Sequence, residues 1–187
     1  MNPNAWQDLR IIGIEDGSFT EKSTKTLLVA VLLRKGLWIE DLKIGEITID
    51  GLDATEKAIE MLKNWQFNII MQAGVSFGGF NLVDPVKVYE IFKKPVIVVS
   101  RKKPDNIAIK NALLEHFEDW EQRWKVFERL GEVYEIKPFK NEPPLFMEIV
   151  GASPEWAERI IRLTTISSRI PEPVRVARLI ARGLSSK

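Results

Sequence analysis

Two acids at the ends of apolar runs are the residues best placed to do chemistry in this chain. The first is Asp16, in "RIIGIEDGSF", where Ile11 to Ile14 read as the start of a buried strand and Glu15, Asp16 and Gly17 follow at once. The second is Asp50, in "EITIDGLDATE", with Asp53 and Glu56 just beyond. A carboxylate at the end of a core strand loses hydration unless something compensates it. Two such groups converging at one sheet edge repel each other, which raises their pKa values. A divalent cation relieves that repulsion, and Mg²⁺ typically takes one or two carboxylates plus waters and substrate phosphates. An ion held this way activates water and stabilises a phosphodiester leaving oxygen. The same residues also suit plain turns, because Asp, Gly and Ser favour them. Asp53 suits a helix N-cap with Glu56 three residues on, and Asp84, followed by Pro85, is better explained as a cap than as a ligand.

The rest of the composition narrows the chemistry by exclusion. There is no cysteine, so disulfides and thiolate metal sites are impossible, and a cytoplasmic location is the expectation. The single histidine, His116, excludes a histidine zinc cluster and a triad pairing His with a Cys nucleophile. "GVSFGGFN" has neither the spacing of a dinucleotide fingerprint nor the Lys of a P-loop, and "SFGGF" is no nucleophile elbow. The N-terminal "MNPNAWQD" lacks a signal-peptide pattern, and no apolar run approaches the roughly 20 residues that span a bilayer. Net charge is +1, but from Arg159 onward six Arg and one Lys face a single acid, Glu172, a local net of +6. Such a tail suits a phosphate-binding face as well as a solvated helix surface.

These residues need elements to position them. Leu27 to Leu33 and Leu37 to Ile49 read as strands joined at Gly36. Ala54, Ala58, Ile59, Met61, Leu62 and Trp65 make an amphipathic helix, followed by a short central strand over Phe67 to Met71. Asp84-Pro85 starts a helix to about Phe92, and the β-branched run Pro95 to Val99 suits a strand covered on both faces. Pro104-Asp105 opens a helix to about His116. "EDWEQRWKVFERL" follows as another, with Trp120, Trp124, Phe127 and Leu130 as core or as a homodimer interface. Val133 to Ile136 and Leu145 to Val150 read as strands around "KNEPP". Helices begin at Ser153-Pro154 and at Pro173. Three leading strands and then a βαβα run predict one α/β domain over 1–187, a mixed sheet with helices on both faces.

"GIEDGSF", "EITIDGLDATEKAIEML", "GVSFGGFNLVDP", "PVIVVSRKKPD" and "IPEPVRVARLIARGL", in this order, resemble an archaeal family formerly of unknown function and now linked by name to endonuclease V as endonuclease dU. The resemblance implies a ribonuclease H-like fold, its first three strands antiparallel and the following ones parallel. It also implies nucleic-acid cleavage near a deaminated base, uracil or hypoxanthine, with Mg²⁺ or Mn²⁺. Endonuclease V-like sites take an acid from the first strand, matched by Asp16, and one after the third, matched by Asp50. Where such sequences carry Asp-Gly after the fourth strand, this chain has Gln72-Ala73-Gly74. Gln72, Glu15, Asp53 or Asp84 then stands in, or catalysis is weak or absent. Glu172 is the match for a late-helix acid.

The same resemblance gives Gly74, Gly78 and Gly79 as points of backbone approach to a phosphate or an extruded base. Phe77 and Phe80 become stacking residues and Asn81 a reader of the base edge. Arg101, Lys102, Lys103, Arg169 and Arg175 become phosphate contacts. Core packing and loop geometry account for the glycines, aromatics and Asn81 equally well. Two other readings are a non-catalytic nucleic-acid-binding protein on the same fold and a small-molecule-binding α/β protein using the "GVSFGGFN" pocket.

Overall fold

In the computed structural model, residues 8–185 are described; most of the N-terminal "MNPNAWQD" stretch and Lys187 of the basic tail lie outside them. Seven strands form one sheet in the order β3-β2-β1-β4-β7-β9-β8. The leading strands are β1 (Arg10–Asp16), β2 (Lys25–Arg34) and β3 (Trp38–Thr48), paired antiparallel. Next come α1 (Ala54–Leu62) and β4 (Ile69–Gln72), which runs parallel to β1. A small hairpin, β5 (Ser76–Phe77) and β6 (Asn81–Leu82), precedes α2 (Pro85–Phe92) and the parallel strand β7 (Val96–Ser100). The remainder is α3 (Asn106–His116), α4 (Trp120–Glu128), β8 (Tyr134–Ile136), β9 (Leu145–Val150), α5 (Pro154–Thr164) and α6 (Glu172–Ser185), with β9 antiparallel to β7. The mixed sheet is the one read from the sequence, except that parallel pairing stops at β7: β9 and β8 join antiparallel, because β9 pairs against β7 in the opposite direction and β8 pairs back on it. Among the described residues no helix is long and apolar enough to cross a membrane.

The continuous apolar character of β1 and β2 follows from burial on both faces. Ile12, Ile14, Leu28 and Ala30 pack in a core with Ala58, Leu62 and Val88 of α1 and α2. Val29, Val31 and Leu33 point the other way, against Ala177 and Ala181 of α6. Ile11, Met71 and Ile97 meet Ala157, Ile160 and Ile161 of α5. Each buried Val, Leu, Ile or Met among these contributes about 1.5–3 kcal/mol. Gly13 explains how α6 comes so close. A Cβ there would lie 1.9 Å from the Pro173 carbonyl oxygen, so only glycine lets the start of α6 rest on β1.

The structure differs from the sequence reading in a few places. The central strand runs over Ile69–Gln72 rather than Phe67 to Met71, which draws Gln72 into the sheet. The hairpin inside "GVSFGGFN" is additional; its strands are two residues each, too short to show a period. Asp53 does not cap α1 with its side chain. Asn81 accepts from the Ala54 N–H at 2.9 Å instead, while Asp53 accepts from Thr48 and Asn81. Asp84 caps α2 as expected, accepting from the Val86 and Lys87 N–H groups.

Candidate functional site

Asp16 and Asp50 come to the same edge of the sheet although β2 lies between their strands. Antiparallel pairing of β2 with both neighbours makes β1 and β3 run the same way, so their C-terminal ends coincide. The hairpin turn then bridges them. The Gly78 N–H donates to Asp16 Oδ2 at 2.6 Å, and the Phe80 N–H donates to Asp50 Oδ1 at 2.7 Å. The Asp50 N–H returns a bond to the Gly78 carbonyl at 2.8 Å. Asp50 has φ 55°, a left-handed conformation that Asp tolerates better than most residues. Gly79 has φ 79°, and a Cβ on it would lie 2.1 Å from Asp50 Oδ1. The turn is therefore glycine for two reasons, its dihedrals and its contact with the carboxylate.

The electrostatics around Asp16 are strained. Burial, and then the neighbouring Asp16 charge, push the Glu15 carboxyl up to about 8, opposed by Arg178. Burial also raises Asp16, against the lowering effect of the Gly78 N–H and of Glu15, with which it shares a hydrogen bond. Arg178 and Arg182 of α6 face this pair. Two adjacent acids held above their ordinary range are the condition that a cation relieves.

Arg123 of α4 fixes the Asp50 loop from behind. It is only 5% exposed. Its Nη1 donates to the carbonyls of Gly51 (3.0 Å) and Phe80 (2.7 Å), and its Nη2 to that of Asp50 (2.9 Å). Asp119 accepts from its Nε at 2.8 Å, and its guanidinium lies 4.2 Å from the Phe117 ring centroid. The sequence reading passed over Arg123, although it shares a helix face with Trp120 and Phe127. It also passed over Glu148, a lone acid inside the apolar strand "LFMEIV".

Other expected site residues have structural roles. Gln72 is fully buried and donates Nε2 to the carbonyls of Gly74 and Val83, so it does not face solvent. The Gly74 N–H is taken by the Val99 carbonyl. Phe77 is fully buried in the core, and Asn81 of β6 is fully buried against the start of α1, so neither is open to a base. Phe80 is half-buried, edge-on to Phe117. Glu172 accepts from Ser167 and from two nitrogens of Arg175; these bonds outweigh burial and hold its carboxyl below the ordinary range. Glu172 and Arg175 are thus paired with each other. Arg169 donates to the Pro144 carbonyl. Arg101, Lys102 and Lys103 stay exposed after β7. Trp120 and Trp124 are partly buried against the α3 and α4 core.

A divalent ion in the two-carboxylate mode suits this donor set. Asp16 and Asp50 offer oxygens beside amides two residues apart. Among the described residues there is no cluster of three or more acids or histidines for a closed metal cage. The ion would be held chiefly by waters and phosphate.

The seven-stranded mixed sheet with its helices is a ribonuclease H-like α/β fold, shared with endonuclease V. Endonuclease V of Ciona intestinalis, solved with an inosine-containing DNA, superposes with a TM-score of 0.65 at 14% identity, covering 94% of this chain and 85% of its own. An Archaeoglobus fulgidus protein of unknown function superposes with a TM-score of 0.84 at 34% identity, covering 96% of this chain and all of its own. A UPF0215 protein of Methanothermobacter thermautotrophicus is 41% identical over 183 residues, 95% of this chain and 88% of the relative. The sequence profile of the endonuclease dU family matches residues 7–185, and the chain belongs to that family.

Proposed function

We propose that this protein is a divalent-cation-dependent nuclease acting on nucleic acid at deaminated bases, uracil or hypoxanthine. The observation that carries the reading is the bridging of Asp16 and Asp50 by one glycine turn in a chain of the endonuclease dU family. Asp16 and Asp50 would hold Mg²⁺ or Mn²⁺. Bound there, the ion supplies Lewis acidity at the phosphodiester and lowers the pKa of water. The chain's own residues do the rest. The Gly78 and Phe80 N–H groups fix the direction of each carboxylate, and Arg123 fixes the loop that carries Asp50. Glu15 retains a proton near neutral pH and limits repulsion at Asp16. Arg178 and Arg182, on the basic face of α6, offer positive charge to the phosphate backbone beside the acids.

A second reading, a nucleic-acid-binding protein without cleavage, is favoured by one observation. The position after β4 is Ala73, and the adjacent Gln72 is fully buried. End-labelled oligonucleotides containing uracil or hypoxanthine, and an inosine RNA, distinguish the two. Cleavage that needs Mg²⁺ or Mn²⁺ and disappears in Asp16→Ala supports the nuclease. Salt-sensitive binding without cleavage supports the second reading. No binding at all refutes both.

A further inference from the structure

Glu148 has an environment that the paired acids do not explain. It is 6% exposed, and among the described residues no hydrogen bond or ion pair reaches its carboxyl. It lines a cavity of about 260 Å³ with Gly74, Ser76, Ser100, Lys102 and Lys103. That volume lies near the roughly 300 Å³ lower end of small-ligand sites, the scale of one planar ring. Strand register places a buried amide on the same face, with Val98 between it and Glu148. Gln72 pairs with Val98, and Val98 with Glu148, so the three side chains share one row on one face of the sheet. Gln72 Oε1 is also buried without a partner. The Glu148 carboxyl opens onto the cavity, where a ligand could supply the hydrogen bonds that the protein does not.

The cavity and the paired acids share the β5–β6 hairpin. Ser76 lines it, and Gly78, whose N–H holds Asp16, is two residues along the same hairpin, about 7 Å away at strand spacing. We propose that the Glu148 carboxyl, lining this cavity, is the group that reads the extruded base, pairing with the N–H and C=O edge that deamination creates. The inference rests on the nuclease reading above. The carboxyl C=O accepts the ring N–H, and its O–H donates to the adjacent ring carbonyl. Burial alone raises this group to about 7, so the neutral form is present at physiological pH. The charged groups facing it are Lys102 and Lys103, from the loop after β7; the β4–β5 turn and the facing ends of α3 and α4 contribute Ser76, Asn106 and Phe127, which are uncharged. Lysines only donate, so they favour a carbonyl edge over the amino edge of cytosine or adenine.

The test is fluorescence anisotropy with matched single-stranded oligonucleotides holding one uracil or one cytosine, in EDTA to prevent cleavage. In the wild-type protein the preference for uracil holds at about pH 6 and falls about tenfold per unit above pH 7, because binding requires one proton. Glu148→Gln keeps an acceptor and a donor that do not ionise, so its preference stays flat across the range. Glu148→Ala loses the preference. If the alanine variant fails to fold, the flat glutamine profile against the sloping wild-type one still decides. A preference that survives in Glu148→Ala, a glutamine variant that titrates like wild type, or a wild-type preference that is absent or independent of pH overturns the assignment and leaves the nuclease reading intact. Wild-type protein that binds neither oligonucleotide overturns both.

Discussion

Replacing Arg123 by Met removes the guanidinium while keeping most of the stem, so it isolates the polar bonds from packing. Three carbonyls, of Asp50, Gly51 and Phe80, lose a charged donor, and Asp119 loses its counter-ion. Each hydrogen bond to a charged group contributes about 1.5–3 kcal/mol, but the simple sum overstates the loss, because freed groups near the surface regain water. Removing one partner of a buried pair costs roughly 3–5 kcal/mol. The Asp119 side chain is 32% exposed and rehydrates, which places the expected loss at the low end, about 3 kcal/mol. For a chain of this size each kcal/mol moves Tm by about 2–4 °C, so a fall of about 6–12 °C is expected. Circular dichroism melts measure it. Hydrogen exchange adds location: the Gly78 and Phe80 amides should lose protection while those of β7 keep theirs. Arg123→Lys should recover little, because one ammonium does not reproduce the planar fork. A loss below about 1 kcal/mol, or uniform deprotection of the sheet, would refute the claim that Arg123 braces the Asp50 loop.

Two further variants probe the same region. Gly79→Ala places a methyl on Asp50 Oδ1 at a positive φ, so about 1–3 kcal/mol of strain is expected, together with displacement of the carboxylate from the Phe80 N–H. Its thermal melt and metal-dependent cleavage should both suffer, and a fully active, fully stable variant contradicts the contact. Glu148→Gln tests linkage. The folded carboxyl, at about 7, lies above its ordinary 4.5, so the stability it permits is full below about pH 4.5 and is lost as pH rises through 7. Glutamine has no such loss, so in urea unfolding the variant should gain about 2 kcal/mol on wild type between about pH 5 and pH 8. Parallel profiles would show that Glu148 stays solvated.

The sequence by itself determined the order of the main elements, the short β5–β6 hairpin apart, because apolar periodicity and caps are local. The run Leu27 to Leu33, the Asp84-Pro85 start and the strand Leu145 to Val150 all stand close to where pattern placed them. It also marked Asp16 and Asp50, since an acid ending an apolar run is visible without any fold. Tertiary structure alone decided what those acids touch. The hairpin of "GVSFGGFN" forms because Gly78 and Phe80 find carboxylates 62 and 30 residues away in sequence, on β1 and on the turn after β3, a partnership with no local trace. Asn81 takes the cap expected of Asp53, because α1 begins where the hairpin crosses it. Gln72, Phe77 and Glu172 look polar or stackable in the sequence, but the fold turns them inward or pairs them. Arg123 and Glu148 acquire meaning only when α4 and β9 come up against the residues that need them. Patterning fixes which face of an element is buried; which side chains meet across the sheet is set by register and crossover, and those are properties of the assembled chain.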